Sequence, residues 1–318
     1  MKTAWKQFHA VDVLAPCNSG FLPYKERVSD DLQRPIDAST RVCAVFGHPI
    51  HHSASPAMQN AGFKALDLNW RYLAFDVHPD HLREAIEGAR LMGFVGLNLT
   101  VPHKVLAMKM VDVVDEQAKP WGAVNTIVFE THAGQARSRG FNTDADAIVK
   151  SLKEEFSLET LRGASVLLLG AGGAAQAAAL RLAREGIGEL FLVNRTKARA
   201  AELADTIQKA CPSVVVTEGY PNRAVDLALN ATSLGLKPDD PPPIDVRWLR
   251  EQPPRFVYDM IYRPKETQLL RVARGAGCRA ANGVSMLLHQ GAHSLELWTG
   301  RAAPLSEMRR ALDINVYG

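Results

Sequence analysis

A lysine and an aspartate stand out among the residues that could do chemistry. Lys104 closes the segment N-L-T-V-P-H-K, and Asp144 closes F-N-T-D. Around them in the sequence lie Ser53 and Ser55 in H-S-A-S-P, Asn98 and Thr100 in the lysine's own segment, and Asn125 in G-A-V-N-T. Hydroxyls and amides both donate and accept hydrogen bonds. Two serines, two asparagines, a threonine and a Lys/Asp pair therefore suit a small polyhydroxylated acid. A site built to bond the hydroxyls of a ligand also rejects analogues that lack them. Taken singly, Lys104 reads as a solvated helix lysine and Asp144 as a helix N-cap.

A second constellation runs from Gly170 as G-A-G-G-A-A, directly after the apolar run S-V-L-L-L and at the start of an alanine-rich helical pattern. Gly170 allows a tight turn, and Gly172 lets the backbone approach a pyrophosphate. Ala175 permits close helix–strand packing. Ala171, Gly173 and Ala174 complete a helix start whose free N–H groups face phosphate. Alone this pattern is weak, but the strand–turn–helix context strengthens it. The next strand, ELFLVNR, has Asn194 at its end, where Arg195, Thr196, Lys197 and Arg199 follow. Enzymes that use NAD place a carboxylate there to hold the ribose hydroxyl. A carboxylate would repel a 2′-phosphate, whereas a guanidinium binds one with paired hydrogen bonds. NADP is the expected cofactor.

These residues need a scaffold. The chain has 318 residues, long for one hydrophobic core, so two domains are expected. From Arg41 onward, β-branched and apolar runs alternate with helical patterns: RVCAVFG, SPAMQNAGFKAL, WRYLAFDV, HPDHLREAIEGARLMG, FVGLNLTV, PHKVLAMKMVD and AVNTIVFE. That rhythm predicts an α/β fold with mainly parallel sheets and helices on both faces. Most of the polar candidates then fall near the carboxyl ends of strands, where open α/β sheets bind ligands. A second unit begins near residue 144 with the helix DADAIVKSLKEEF and continues through SVLLLG, ELFLVNR, SVVVTEG, DLALNAT and RFVYDMIY. The closing amphipathic pattern GVSMLLHQGAHSLELWTG suggests a return to the first unit. The expected division is an extension over 1–40, a substrate-binding α/β domain over 41–143 plus 283–318, and a Rossmann-type doubly wound NADP-binding domain over 144–282.

The bulk properties exclude several classes. A net charge of +3 with no Lys/Arg block argues against nucleic acid as partner. No run approaches the roughly 18 apolar residues of a membrane span, and His9 and Asp12 interrupt any signal-peptide core. A cytoplasmic protein with a small-molecule partner is expected, with a homodimer as the assembly to test. The four cysteines have no metal spacing. His48, His51 and His52 crowd one turn, and His289 and His293 are four apart, but no HExxH pattern or set of neighbouring Cys or carboxylates accompanies them. They read as surface or packing histidines, so no metal is expected.

The motifs F-G-H-P-I, S-A-S-P, N-L-T-V-P-H-K, G-A-V-N-T, N-T-D, G-A-G-G-A, N-R-T, N-A-T-S-L-G, Y-D-M-I-Y and G-V-S-M-L-L-H-Q occur in that order. Together they make the chain resemble the shikimate dehydrogenase family from residue 43 to about 300. The resemblance implies NADPH-dependent, reversible reduction of 3-dehydroshikimate to shikimate. Ser53 and Ser55 would bind the substrate carboxylate, with Tyr262 nearby. Asn98, Thr100, Asn125 and Gln290 would hold ring hydroxyls, and Lys104 and Asp144 would form the catalytic pair. Ala171, Gly172, Asn194, Arg195 and Thr196 would contact NADP, with Gly283 and Met286 beside the nicotinamide. The chemistry is consistent: hydride delivery to a ketone builds negative charge on oxygen, which calls for a nearby proton donor or cation. The pattern is broken at Ala145 and Asn282, where the family often has glycine and an acidic residue, and by the extension. Two alternatives stay open, a quinate or quinate/shikimate dehydrogenase and a non-catalytic NADP- or shikimate-binding regulator on the same fold.

Overall fold

The structure, a computed structural model, describes residues 34–132, 134–237 and 239–318. Most of the expected extension, 1–33, lies outside the described residues.

Two six-stranded sheets organise the chain. The first holds β1 (Arg41–Gly47), β2 (Trp70–Asp76), β3 (Gly96–Leu99), β4 (Val113–Val114), β5 (Thr126–His132) and β6 (Gln135–Phe141), in the order β2-β1-β3-β5-β6-β4. Helices α1 (Ser55–Ala65), α2 (Leu82–Leu91) and the single turn α3 (His103–Leu106) connect its early strands. β1, β2 and β3 are parallel, as the alternating pattern predicts. The remainder departs from it, because β5 runs antiparallel to β3 and forms an antiparallel hairpin with β6. QARSRGF carries two arginines and a glycine, so its composition hides a strand whose register is set by its neighbour. The helix expected after Pro102 is likewise shorter than predicted, closing after one turn into a 3-10 segment.

Helix α4 (Asp144–Phe156) leads to the second sheet. Its strands are β7 (Ser165–Leu169), β8 (Glu189–Val193), β9 (Val215–Glu218), β10 (Leu227–Asn230), β11 (Phe256–Asp259) and β12 (Arg279–Asn282). They are parallel throughout, in the order β12-β11-β10-β7-β8-β9. This is the doubly wound dinucleotide-binding order, whose direction reverses between β7 and β10. β7 is buried along its whole length, which explains why it reads as a continuous apolar run. Helices α5 (Gly173–Glu185), α6 (Lys197–Ala210), α7 (Val246–Glu251) and α8 (Gln268–Gly275) complete this sheet.

The last two helices, α9 (Val284–Thr299) and α10 (Leu305–Tyr317), pack back onto the first sheet. Leu288, Leu295, Trp298, Met308 and Leu312 join Cys43, Val45, Met58, Phe63 and Tyr72 in one apolar core. The approach is close enough that a Cβ on Gly96 would lie 2.2 Å from the Trp298 indole nitrogen. That nitrogen donates to the Ile127 carbonyl at 3.0 Å, joining α9 to β5. The expected return of the chain to the first sheet is therefore observed.

Candidate active site

The turn after β1 carries Ser53 and α1 opens on Ser55; Asn98 lies in β3, Thr100 just past its end and Lys104 in α3. The segment after β11 brings Met260 and Tyr262, and α9 brings Met286, Leu287 and Gln290. These residues, with Asp144 and Gly283, line a cavity of about 230 Å³. Lys104 and Asp144, forty positions apart, meet there with Nζ donating to the carboxylate at 2.7 Å. The two side chains are 31% and 19% exposed, so each is partly withdrawn from water yet open to a ligand. Asp144 is the first residue of α4, where a helix start favours negative charge.

Nearly every polar residue expected at this site lines the cavity; Asn125 does not. It is buried one layer behind, its Nδ2 donating to Thr143 Oγ1 at 2.9 Å and its Oδ1 accepting from the Thr143 amide at 2.8 Å. These bonds tie the residue just before β5 to the segment that presents Asp144.

Gly283 owes its identity to a backbone crossing. A Cβ there would lie 2.2 Å from the Met260 carbonyl, and the Gly283 amide donates to the Ile261 carbonyl at 3.1 Å. The crossing holds the start of α9 against the loop that carries Tyr262. Sequence reasoning assigned no role to Asp259, which organises this region from a fully buried position. Its carboxylate accepts from Asn230 Nδ2 at 2.9 Å, the Ile261 amide at 3.1 Å and Thr267 Oγ1 at 2.6 Å. Burial pushes its carboxyl above the usual aspartate range, while the bond from Thr267 pulls the other way. Asn230 in turn accepts from Thr232. The only available sign was that Asp259 and Asn230 sit inside the motifs Y-D-M-I-Y and N-A-T-S-L-G.

The second sheet offers a matching feature at its strand reversal. Gly170 has φ +111°, and a Cβ added there would crowd the Ala231 carbonyl at 3.2 Å. Gly172 and Gly173, by contrast, face open space at their Cβ positions. Gly172 is the N-cap of α5, with no side-chain cap, so the first amides of the helix are left for a ligand. Gly170→Ala is expected to lower stability by about 1–3 kcal/mol, read as a fall in Tm. An unchanged Tm would show that the turn relaxes without cost.

Asn194 and Arg195 line a cavity of about 270 Å³ with Gly170, Thr232, Ser233 and Pro243, and Lys197 lines the adjoining one. Asn194 Nδ2 donates to the Thr196 carbonyl at 2.8 Å, shaping the turn. Arg195, Thr196, Lys197 and Arg199 are exposed. Among the described residues none of the three cations forms a salt bridge, so their charge is available to an anion. These features fit a dinucleotide with a 2′-phosphate.

His103, one residue before Lys104, is fully buried, and neither ring nitrogen meets a partner of good hydrogen-bond geometry. Burial holds its imidazole below the ordinary value and nearby His48 adds to this, against opposing effects from the Val77 backbone and Asp76. The folded state therefore takes up this proton at lower pH than the unfolded chain, which does so as pH falls through about 6.5. This contribution to stability is complete above that pH and is lost on acidification. His103→Asn is expected to shrink the drop in Tm between pH 7 and pH 5. A drop as large as in the parent would place the acid sensitivity elsewhere, His293 being the next candidate because burial depresses it too.

Among the described residues no group of His, Cys, Asp or Glu is arranged to hold a metal, and no helix is long and apolar enough to cross a membrane. His48 from the crowded turn instead bonds Asp76 at 2.6 Å.

A doubly wound sheet with an open glycine turn, beside a polar cavity holding an ammonium–carboxylate pair, defines a dinucleotide-linked oxidoreductase of the α/β class. Family models for the shikimate dehydrogenase substrate-binding domain, shikimate/quinate 5-dehydrogenase and the shikimate 5′-dehydrogenase C-terminal domain match residues 45–127, 151–232 and 283–312. The chain is 42% identical over 286 residues to the NADP+ shikimate dehydrogenase of Methanopyrus kandleri, covering 87% of this chain and 96% of that one. It is 45% identical over 285 residues to the corresponding protein of Moorella thermoacetica, with 87% and 94% covered. A solved shikimate dehydrogenase in complex with NADP+ superposes with a TM-score of 0.82 at 36% identity, covering 90% of this chain and 99% of that one. The chain belongs to the shikimate dehydrogenase family.

Proposed function

We propose that the protein is an NADP-dependent shikimate dehydrogenase, reducing 3-dehydroshikimate reversibly to shikimate. The observation that carries this reading is the Lys104–Asp144 pair, 2.7 Å apart on the wall of a cavity that also presents Ser53, Ser55, Asn98, Thr100 and Gln290.

In this reading the Ser53 and Ser55 hydroxyls hold the substrate carboxylate, with Tyr262 beside them. Asn98, Thr100, Asn125 and Gln290 hold ring hydroxyls. The dinucleotide, when bound, supplies the hydride equivalent. As the ketone oxygen gains negative charge, the Lys104 ammonium stabilises it and delivers a proton. Asp144 keeps the ammonium aimed at that oxygen and shares its proton. Gly170, Ala171, Gly172, Gly173 and Ala174 cradle the pyrophosphate. Arg195, with Asn194, Thr196, Lys197 and Arg199, holds the 2′-phosphate, and Gly283 and Met286 border the nicotinamide. We place domain boundaries near 144 and 283, where the chain passes between the two sheets. A cytoplasmic location fits this reading, and light scattering would test for the homodimer.

Initial rates with shikimate and quinate, each with NADP and NAD, test the assignment. Shikimate with NADP is expected to lead in kcat/KM by roughly tenfold or more, since quinate adds a ring hydroxyl that a hydrogen-bonding site must place. Preference for quinate would move the protein to the quinate dehydrogenases. Binding of shikimate and NADP without turnover would make it a regulator.

A further inference from the structure

Directly behind the cavity wall is a buried hydrogen-bond cluster whose centre, Ser294, no motif singled out. Ser294 lies on α9 and is fully buried. Its Oγ is 2.9 Å from Asn98 Nδ2, 2.8 Å from Thr126 Oγ1, 3.3 Å from Thr143 Oγ1 and 3.0 Å from the Gln290 carbonyl. One hydroxyl thus joins β3, β5, the residue preceding Asp144, and the helix that carries Gln290.

The cluster also dictates which way round the Asn98 amide sits. The Asn125 main-chain carbonyl, which can only accept, lies 3.2 Å from one end of that amide, so this end is the nitrogen. The other end is then the oxygen, and it accepts from the Tyr72 hydroxyl at 2.6 Å. The two protons of Nδ2 are directed at Ser294, Thr126 and the Asn125 carbonyl. Ser294 accepts because the Gln290 carbonyl takes its own proton. What Asn98 has left for the cavity is a lone pair on Oδ1, so it can accept from a hydroxyl and cannot donate to a carbonyl. A buried polar cluster that is fully satisfied in this way is rigid and holds one arrangement.

We infer that Ser294 is a positioning residue that, with Tyr72 at the opposite end of the amide, locks Asn98 as a hydrogen-bond acceptor and so makes the site selective for a substrate hydroxyl at that point. This rests on the reading of the cavity as the shikimate site. Removing the Ser294 hydroxyl takes away the shortest of the three contacts that hold Nδ2, so the amide is held less firmly and the selectivity falls.

The test uses the full chain with shikimate and with analogues that each lack one ring hydroxyl. Ser294→Ala is expected to raise KM for shikimate roughly tenfold, with kcat and the KM for NADP close to parental. For one analogue, the one lacking the hydroxyl that Asn98 accepts, KM should hardly move. Tyr72→Phe, which keeps the ring in the core, probes the other end of the amide and should give the same pattern. If both variants kept parental discrimination, or raised KM equally for shikimate and every analogue, Ser294 would have no positioning role. The parent is assayed first: absence of shikimate turnover there would overturn the functional reading and this inference together, whereas a failure confined to the variants would overturn this inference alone.

Discussion

Lys104→Ala is expected to lower kcat roughly 100- to 10,000-fold, the range that a positioned proton donor contributes, while the KM for shikimate changes far less. The split follows from when the interaction is made. The ground-state ketone carries little charge, so the ammonium contributes little to holding it. The oxygen becomes strongly negative only as it is reduced, and an interaction realised only then affects kcat rather than binding. The geometry supports this division, because Asn98 and Gln290 do not depend on the lysine for their placement. Asn98 is held from behind by Tyr72 and Ser294, and Gln290 donates to the Leu287 carbonyl of its own helix at 2.8 Å. Lys104→Arg is not a safe conservative control, since a planar guanidinium aims its donors differently from an ammonium. Turnover near the parental value in Lys104→Ala would remove this residue from the mechanism and, with it, the strongest support for the assigned reaction.

The second large effect concerns the cofactor. Arg195→Ala is expected to lower kcat/KM for NADP roughly 10- to 100-fold, the value of hydrogen bonds to a charged group, with little change for NAD. Arg195 stands at the mouth of a cavity beside Gly170 and Asn194 and is tied to no carboxylate by a salt bridge among the described residues. Its removal therefore leaves no stranded partner, and the loss reports the phosphate contact. Lys197 and Arg199 keep positive charge nearby, which limits the loss. The effect should shrink as salt rises, because exposed charges are screened. Equal use of NAD and NADP by the parent would refute the assignment of this basic turn to a 2′-phosphate.

Much of this was legible before any coordinates, where the information is local. The glycine turn at Gly170 and the basic turn after β8 are decided within a few residues by backbone freedom and side-chain charge. β7 and β8 are equally plain, because a strand buried on both faces must be apolar throughout. The doubly wound sheet therefore appears in the sequence almost entire. The hairpin of β5 and β6 does not, since an arginine-bearing strand is held by its partner rather than by its own composition.

The polar residues divide in the same way. Their types announced a ligand with hydroxyls and a charged centre, and ten motifs in order named the family. Spacing could not show that Asn125 bonds Thr143, that Asp259 holds two loops together from the interior, or that Ser294 joins four segments. Each of these depends on which groups are removed from water and left to satisfy one another, a condition set by packing between distant segments: α9 against β3 and β5 for Ser294, and β10 against β11 for Asp259. What the sequence by itself determined was the kind of chemistry and the nucleotide-binding half of the scaffold, because those rest on residue type and short-range geometry. Only the tertiary structure decided which polar groups face the ligand and which brace them, because burial and hydrogen-bond partnership between distant segments are properties of the folded chain.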